Sequence, residues 1–252
     1  KERKKNMKVF ENITPEFEEW IKKQPMFFVA SASTHGHVNV SPKGHDALRI
    51  LSNTKVCYMD MSGSGNETSA HLQENGRITI MFCAFEGPPR ILRLYGTGRV
   101  VLNSNYINNS NNNNNNSNNN NDDDDDNTTT TTREEWNELI GQYDEVLPST
   151  RQIIVVNVQR VQTSCGYAVP FMDYKQDRDT LKNFFRVKVR KGGTAAMEEY
   201  WRKKNTTSID GLPTPLGDQL LLMSSSSSSS STTTTTTTSS SSSSVMPDSS
   251  SF

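Results

Sequence analysis

A short run of small residues, MSGSGN at 61–66, joins a predicted strand to a predicted helix. The first turn of a helix carries unpaired backbone N–H groups and the positive end of the helix dipole, and both attract anions. Glycine lets the backbone approach a ligand closely, and the hydroxyls of Ser62 and Ser64 add hydrogen-bond donors. The run therefore predicts a phosphate cradle. A plain strand-to-helix turn, with Ser64 or Asn66 as the helix N-cap, is the alternative.

A second stretch, HVNVSPKG at 37–44, alternates apolar and polar residues as a strand does and ends in Pro42, Lys43 and Gly44. A lysine at the end of a strand can neutralise a phosphate as a point charge. We therefore expect Lys43 to lie beside the cradle. A solvated lysine in a turn accounts for the same position.

The histidines give a weaker signal. His35 and His37 are spaced as two metal ligands on one strand face would be, but no third ligand stands near them in the sequence, so we predict turn residues and no metal. His45 and His71 are predicted to be surface or packed residues. No Ser-His-Asp arrangement, paired carboxylates or zinc-spaced cysteines are discernible, and no side chain is assigned as a general acid or base.

The segment RVQTSCGYAVPFM at 160–172 has two interpretations. Cys165 is either a reactive thiol or a small residue in a turn at the end of a strand. Tyr167, Pro170 and Phe171 either form a wall over a flat ring or pack in the core or in a dimer contact.

Short β-rich segments must position these residues. Thr14 and Pro15 fit the N-cap and first position of a helix, and His35-Gly36 fits a hairpin turn. Six strands with tight connections and few crossover helices predict a mainly β fold with peripheral helices, a six-stranded antiparallel barrel. The predicted strands are 26–33, 37–44, 55–61, 77–85, 90–102 and 151–164, and the predicted helices are 14–24, 66–74, 133–143 and one or two between 175 and 205.

Two low-complexity tracts interrupt this pattern. Residues 105–132 are rich in Asn, Asp and Thr, and residues 224–244 are all Ser and Thr. Such tracts cannot bury enough apolar surface to offset chain entropy, so we predict disorder. The predicted organisation is a basic, flexible N-terminus (1–13), one domain (14–222) interrupted by the insert 105–132, and a disordered tail (223–252). The cost of loop closure rises slowly with length, so a surface loop can carry the insert.

The composition excludes several classes of partner. The 27 basic and 28 acidic residues nearly cancel, which argues against a nucleic-acid surface. No apolar run reaches the roughly 18 residues that a membrane span requires. The three cysteines are far apart and odd in number, which argues against a disulfide framework and favours a reducing, cytoplasmic compartment.

A series of ordered motifs carries a resemblance to a known family. The motifs are FFVASAS, GHVNVSPKG and VCYMDMSGSGNETSAHLQENGRITIMFCAFEGPPRILRLYGTGRVV. They resemble the pyridoxamine 5'-phosphate oxidase-related family of FMN-binding split barrels. Downstream, RQIIVVNVQRVQTSCGYAVPFM and YWRKKNTTSIDGLP resemble one branch of that family. The resemblance covers nearly all of the predicted domain and implies a split-barrel homodimer with flavin at the subunit interface.

The resemblance also implies the residues that bind the cofactor. VNVSPK matches the family strand that ends in a phosphate-contacting lysine, which gives that role to Lys43; Asn39 and Ser41 would face the isoalloxazine or the ribityl chain. YMDMSGSGNE matches the strand and loop that hold the ribityl phosphate, and RILRLYG resembles an arginine motif of the oxidases. The further residues implied are Ser62, Ser64, Gly65, Asn66 and Arg93.

The chain departs from the true oxidases at three places. Its phosphate loop reads Ser-Gly-Asn where the oxidases have Ser-Arg-Lys, and Ile91 stands in place of a glutamine. It has no counterpart of the oxidases' C-terminal Arg/His substrate-binding segment. The departures argue against authentic pyridoxamine-phosphate oxidation.

The function expected is therefore that of an FMN-dependent oxidoreductase acting on a small-molecule redox substrate, in which the protein orients the flavin and excludes water. Two alternatives stay open: a non-catalytic module that binds flavin or haem, and a cofactor-free dimeric scaffold.

Overall fold

The computed structural model describes residues 8–106 and 133–228. Most of the predicted insert 105–132 and of the predicted tail 223–252, and residues 1–7, lie outside this part of the chain. The strands are β1 (Lys8–Phe10), β2 (Phe27–Ala32), β3 (Val38–Lys43), β4 (Leu48–Ser52), β5 (Lys55–Met61), β6 (Arg77–Cys83), β7 (Ile91–Leu102) and β8 (Thr150–Ser164). The helices are α1 (Pro15–Lys22), α2 (Glu67–Asn75), α3 (Arg133–Ile140), α4 (Thr180–Lys204) and α5 (Pro215–Ser228), with a 3₁₀ turn at Ser104–Tyr106.

The strands form one sheet in the order β3-β2-β6-β7-β8-β5-β4, with β1 paired to β8. Every pairing among them is antiparallel. The long strand β8 comes from the second half of the sequence and lies between β7 and β5, so the second half completes the sheet of the first. The predicted fold class, a mostly antiparallel split-barrel sheet with few helices, is confirmed.

The sheet has eight strands instead of the predicted six. The additional strands are β1, only three residues long, and β4, which follows a turn at His45 and Asp46. Both turn residues have positive φ, 60° and 51°. Residues other than glycine adopt this conformation rarely, so the types of the two residues at this turn do not predict it.

The two chain boundaries also differ from the prediction. Residues 8–13, assigned to a flexible N-terminus, contribute β1 and the buried Ile13, whose N–H donates to the Asn53 carbonyl at 2.8 Å. At the other end, α5 continues to Ser228. Its Leu216 and Leu220 pack against Trp201, so tertiary contacts hold a helix that runs into the Ser/Thr tract.

Two apolar clusters hold the elements together. The main core packs residues of the strands against α1, α2 and α3. A second cluster joins α4 and α5 to the end of β7 and includes Phe185, Met197 and Trp201. The cluster holds both halves of α4, which is kinked at Gly193 (φ 60°, ψ −152°), against the rest of the fold. None of the helices within 8–106 and 133–228 has the length and apolar character to cross a membrane.

Candidate functional site

Four polar side chains from three strands meet at the end of β3. The Lys43 ammonium donates to Asp60 Oδ1 of β5 at 2.8 Å. The other carboxylate oxygen, Asp60 Oδ2, accepts from Arg151 Nε at 2.9 Å and from Gln152 Nε2 at 2.8 Å, both at the start of β8. All except Lys43 are buried, and the Lys43 side chain is 19% exposed. The cluster forms the floor beneath the 62–66 loop.

A β-bulge makes this convergence possible. Asp60 pairs with Gln152, but the next pair is Met61 with Thr150, so Arg151 is an extra residue on β8. Successive side chains of a regular strand point to opposite faces, and a bulge redirects one of them. Arg151 and Gln152 are adjacent in sequence and still reach the same carboxylate.

The electrostatics of the cluster leave one positive charge unmatched. Burial alone would raise the pKa of Asp60, but the Arg151 guanidinium and the Lys43 ammonium hold it well below its ordinary value of 3.8. The carboxylate is therefore ionised at neutral pH, and two cations share one anion. The nearby Glu67 carboxylate is held at a different group, the backbone N–H of Ile209, at 2.9 Å.

Ser62 and Ser64 have different environments in the loop. Ser62 is fully buried; its hydroxyl donates to the Ser149 carbonyl at 2.8 Å and accepts the indole N–H of Trp201 at 2.6 Å. Ser64, the middle residue of the loop, is exposed. Of the two hydroxyls predicted to face a phosphate, only that of Ser64 is accessible in this conformation.

Asn66 occupies the N-cap position of α2, but its side chain makes no capping hydrogen bond. Its Nδ2 donates to the Asn205 carbonyl at 3.1 Å and its Oδ1 accepts from Gln152 Nε2 at 3.0 Å. The Gly65 carbonyl accepts from Arg151 Nη1 at 2.9 Å. The Asn66 side chain therefore stabilises the loop and does not cap the first-turn N–H groups of α2.

The polar residues of β3 face the same helix. Asn39 Nδ2 donates to Thr68 Oγ1 in the first turn of α2 at 3.0 Å. Ser31 Oγ lies 3.0 Å from Nδ1 of the buried His71, which is packed, one of its two predicted environments. Ser41 lies between Asn39 and Lys43 on the same face of β3 and is half-buried. Seven of the eight predicted residues thus surround the end of β3 and the start of α2.

Arg93 is the exception. It lies in the sheet row of Pro42, whereas Lys43 lies in the row of the buried Phe27, so the two basic side chains project from opposite faces of the sheet. Arg93 Nη1 donates to Ser164 Oγ at 3.3 Å. Within one chain the structure does not bring Arg93 to the cluster.

His37 pairs with Asp210. Its backbone N–H donates to Asp210 Oδ2 at 2.8 Å, and its Nδ1 lies 2.6 Å from Oδ1. The hydrogen bond and the charge of Asp210 raise the pKa of His37 above 6.5. In the part of the chain that the structure describes, no three His, Cys, Asp or Glu side chains are grouped as a metal site requires.

The 160–172 segment runs along the turn between β6 and β7. Gly166 (φ 67°) lies against the Arg90 backbone, and the Met172 N–H donates to the Phe85 carbonyl at 3.1 Å. Tyr167 and Phe171 are more than three-quarters exposed, so neither packs in the core of the single chain.

Comparison with known proteins identifies the family. The family model for pyridoxamine 5'-phosphate oxidase matches residues 13–112, which include Lys43, Asp60 and the 62–66 loop. The pyridoxamine 5'-phosphate oxidase family protein ustO of Aspergillus flavus is 35% identical over 222 residues, 81% of this chain and 76% of ustO. The chain belongs to the pyridoxamine 5'-phosphate oxidase family.

Two solved structures show a distant likeness to this family member. The FAD-binding protein of Mycobacterium smegmatis shares 10% identity at a TM-score of 0.36, over 61% of this chain and 96% of its own. The haem storage protein HutZ of Vibrio cholerae shares 11% identity at a TM-score of 0.34, over 58% and 89%. Neither likeness bears on which ligand this chain binds.

The chemistry of the donor set fits the phosphate end of FMN. Lys43 and Arg151 supply cations of which only one is matched by Asp60, and the first turn of α2 is not capped by Asn66. Backbone N–H groups at a helix start, with a nearby cation, are the usual donors to a phosphate. The loop lacks the basic residues of the true oxidases, and Arg151 of β8 supplies a positive charge from beneath it.

Sequence reasoning missed Asp60, Arg151 and Gln152. Arg151 and Gln152 follow the first residue of a strand whose next four residues, Ile153–Val156, are all buried and apolar. A charged residue rarely lies next to a fully buried strand unless it has a partner. That contrast was the one available signal, and it does not name the partner.

Proposed function

We propose that this chain binds FMN and acts as a flavin-dependent oxidoreductase on a small-molecule substrate. The ribityl phosphate would lie at the 62–66 loop and the first turn of α2, close to Lys43. The observation that carries the proposal is the buried cluster in which Lys43 and Arg151 share the single carboxylate of Asp60. A buried, unmatched positive charge is costly, and an anionic ligand would compensate it.

The residues of this chain would divide the work. Lys43 and the loop would hold the phosphate, while Asn39 and Ser41, on the same face of β3, would orient the ribityl chain or the ring edge. The flavin, when bound, would supply the electron-transfer chemistry, and the protein would orient it and keep water away. The departures from the true oxidases lead us to propose a substrate other than pyridoxamine phosphate.

We further propose that the active form is a homodimer. The face of β3 that points away from the core exposes Val38 (72%) and Val40 (60%), and Pro42 continues the row. A contiguous exposed apolar strand face is typical of an interface. Arg93 projects from this same side of the sheet, so in such a dimer it would lie on the side that faces the second copy.

The first test is the visible absorption spectrum of the purified protein, before and after incubation with FMN and desalting. We expect a retained flavin spectrum in the wild type and a reduced one in Lys43→Ala. Lys55→Ala is the matched control, because Lys55 is an exposed lysine at the start of β5, at the opposite end of that strand from Asp60. A wild-type protein that stays colourless would contradict the proposal, and equal retention in both variants would exclude Lys43 from the site.

A separate assay distinguishes an enzyme from a flavin-binding module. Flavin-loaded protein should consume NADH or NADPH, or reduce dyes or quinones, faster than free FMN at the same concentration. Flavin retention without any turnover would leave binding as the function and would contradict the oxidoreductase proposal.

A further inference from the structure

The 62–66 loop is held by a second segment of the chain, residues 200–210, here called the clamp. The Trp201 indole N–H donates to Ser62 Oγ at 2.6 Å, and the Tyr200 hydroxyl donates to the Gly63 carbonyl at 3.2 Å. Trp201 is fully buried in the cluster that joins α4 to α5. The clamp is therefore anchored in packed structure independently of the loop.

Asn205 makes the central contacts. Its Nδ2 donates to the Gly63 carbonyl at 3.1 Å and to the Gly65 carbonyl at 3.3 Å, while its own carbonyl accepts from Asn66 Nδ2 at 3.1 Å. Asn205 is fully buried, so these bonds are shielded from water. One side chain thus orients two peptide groups of the loop.

The orientation of these carbonyls determines where the adjacent N–H groups point. In a planar trans peptide, the C=O of one residue and the N–H of the next point in opposite directions. Because the Gly63 and Gly65 carbonyls face Asn205, the N–H groups of Ser64 and Asn66 face away from the clamp. Neither N–H has a partner among residues 8–106 and 133–228. Two N–H groups of one loop that point to the same side, next to a helix start, can donate to a single anion.

We infer that the clamp sets the loop in its anion-binding conformation, and that Asn205 and Trp201 are positioning residues for the phosphate. The inference rests on the proposed function, and it adds residues that lie outside the 13–112 family match. The far end of the clamp ties down the neighbouring elements as well: Ile209 N–H donates to Glu67 of α2, and Asp210 binds His37 beside β3.

The test compares Asn205→Asp with Asn183→Asp. The first change replaces the donor with a carboxylate that repels the Gly63 and Gly65 carbonyls, and the second makes the same change at an exposed position in the first half of α4. FMN affinity is measured by flavin fluorescence quenching. We expect Asn205→Asp to weaken FMN binding roughly tenfold or more, as loss of a charge-assisted hydrogen-bonding geometry does, and Asn183→Asp to leave it unchanged.

A second measurement is independent of flavin. Amide hydrogen exchange of Ser64 and Asn66 is followed by NMR in the ligand-free protein and with inorganic phosphate. We expect phosphate to slow both amides in the wild type and not in Asn205→Asp. If Asn205→Asp does not fold, Trp201→Phe replaces it: this change removes the indole N–H and keeps a smaller aromatic ring. Trp136→Phe of α3, which removes the same atoms from another buried tryptophan, is its control.

The outcomes separate the clamp from the flavin. Wild-type protein that binds FMN with an affinity unchanged by the clamp variants would overturn the clamp and leave the proposed function standing. Wild-type protein that does not bind FMN, but whose Ser64 and Asn66 amides respond to phosphate through Asn205, would support the clamp and overturn the flavin. Amides that respond to neither FMN nor phosphate would overturn both.

Discussion

The ammonium of Lys43, the last residue of β3, lies 2.8 Å from the carboxylate of Asp60, near the end of β5. The lysine that family resemblance assigns to the cofactor phosphate therefore already has an internal partner. Arg151 binds the same carboxylate, so the cluster of Lys43, Asp60 and Arg151 keeps a net positive charge. The phosphate affinity of this chain depends on the charge of the whole cluster rather than on Lys43 alone.

Replacing Asp60 by asparagine should destabilise the fold. The change leaves the buried Arg151 and the partly buried Lys43 without their anion, and breaking a buried ion pair from one side costs about 3–5 kcal/mol. The free energy of unfolding, from denaturant titration at pH 7, checks this. Asp144→Asn, at an exposed acid in the turn after α3, is the control and should change stability little.

The same carboxylate predicts a dependence on pH. The folded-state pKa of Asp60 is lower than its ordinary value of 3.8, so its contribution is fully present above that pH and is lost as the pH falls below it. Between pH 5 and pH 3 the wild type should therefore lose stability more steeply than Asp60→Asn. Equal slopes would show that Asp60 is not ionised against its partners.

Arg151→Met should weaken FMN binding without removing Lys43 from its place. The variant leaves one cation on one anion, so the cluster loses its unmatched charge. We expect an affinity loss of roughly tenfold, comparable to that of other buried charge-assisted contacts. Arg160→Met, at an exposed position near the other end of β8, is the control. An Arg151→Met protein that folds and binds FMN as the wild type does would contradict the role given to the cluster.

Local sequence patterns predict which residues share a strand face, but they do not predict contacts between residues that are far apart in the chain. Asn39, Ser41 and Lys43 could be placed on one face because strand alternation is a local pattern. Asp60 and Arg151 are 91 residues apart, and only the β5–β8 pairing with its bulge brings them together. The sequence around Asp60 or Arg151 does not indicate the register of the β5–β8 pairing.

Local signals also failed where packing or unusual backbone replaced them. Asn66 has the residue type and position of an N-cap, but buried partners take its side chain instead. Trp201 is 139 residues from Ser62, and its contact follows from how α4 and α5 pack. The fold class was predictable because six strands were individually clear, whereas the site was completed by contacts between distant segments.

The His37–Asp210 pair should be visible as a shifted titration. The hydrogen bond to Asp210 and its negative charge raise the pKa of His37, so NMR should give a midpoint above 6.5 in the wild type. Asp210→Asn should lower it towards 6.5. Since the folded-state pKa is raised, the stabilisation is fully present below pH 6.5 and is lost as the pH rises through the folded-state value. A midpoint that does not move in Asp210→Asn would exclude the pair in solution.

The proposed dimer can be tested on its apolar strand. Val40→Lys places a charge in the middle of the exposed face of β3, where a second copy would have to bury it. We expect light scattering to give twice the chain mass for the wild type and a single chain mass for Val40→Lys, at equal protein concentration. Val146→Lys is the control, because Val146 is about half exposed in the loop after α3, outside the sheet. A monomeric wild type would contradict the dimer, and a Val40→Lys protein that stays dimeric would place the interface elsewhere.

Because Arg93 lies on this face, loss of the dimer should also reduce flavin retention if each copy completes its partner's site.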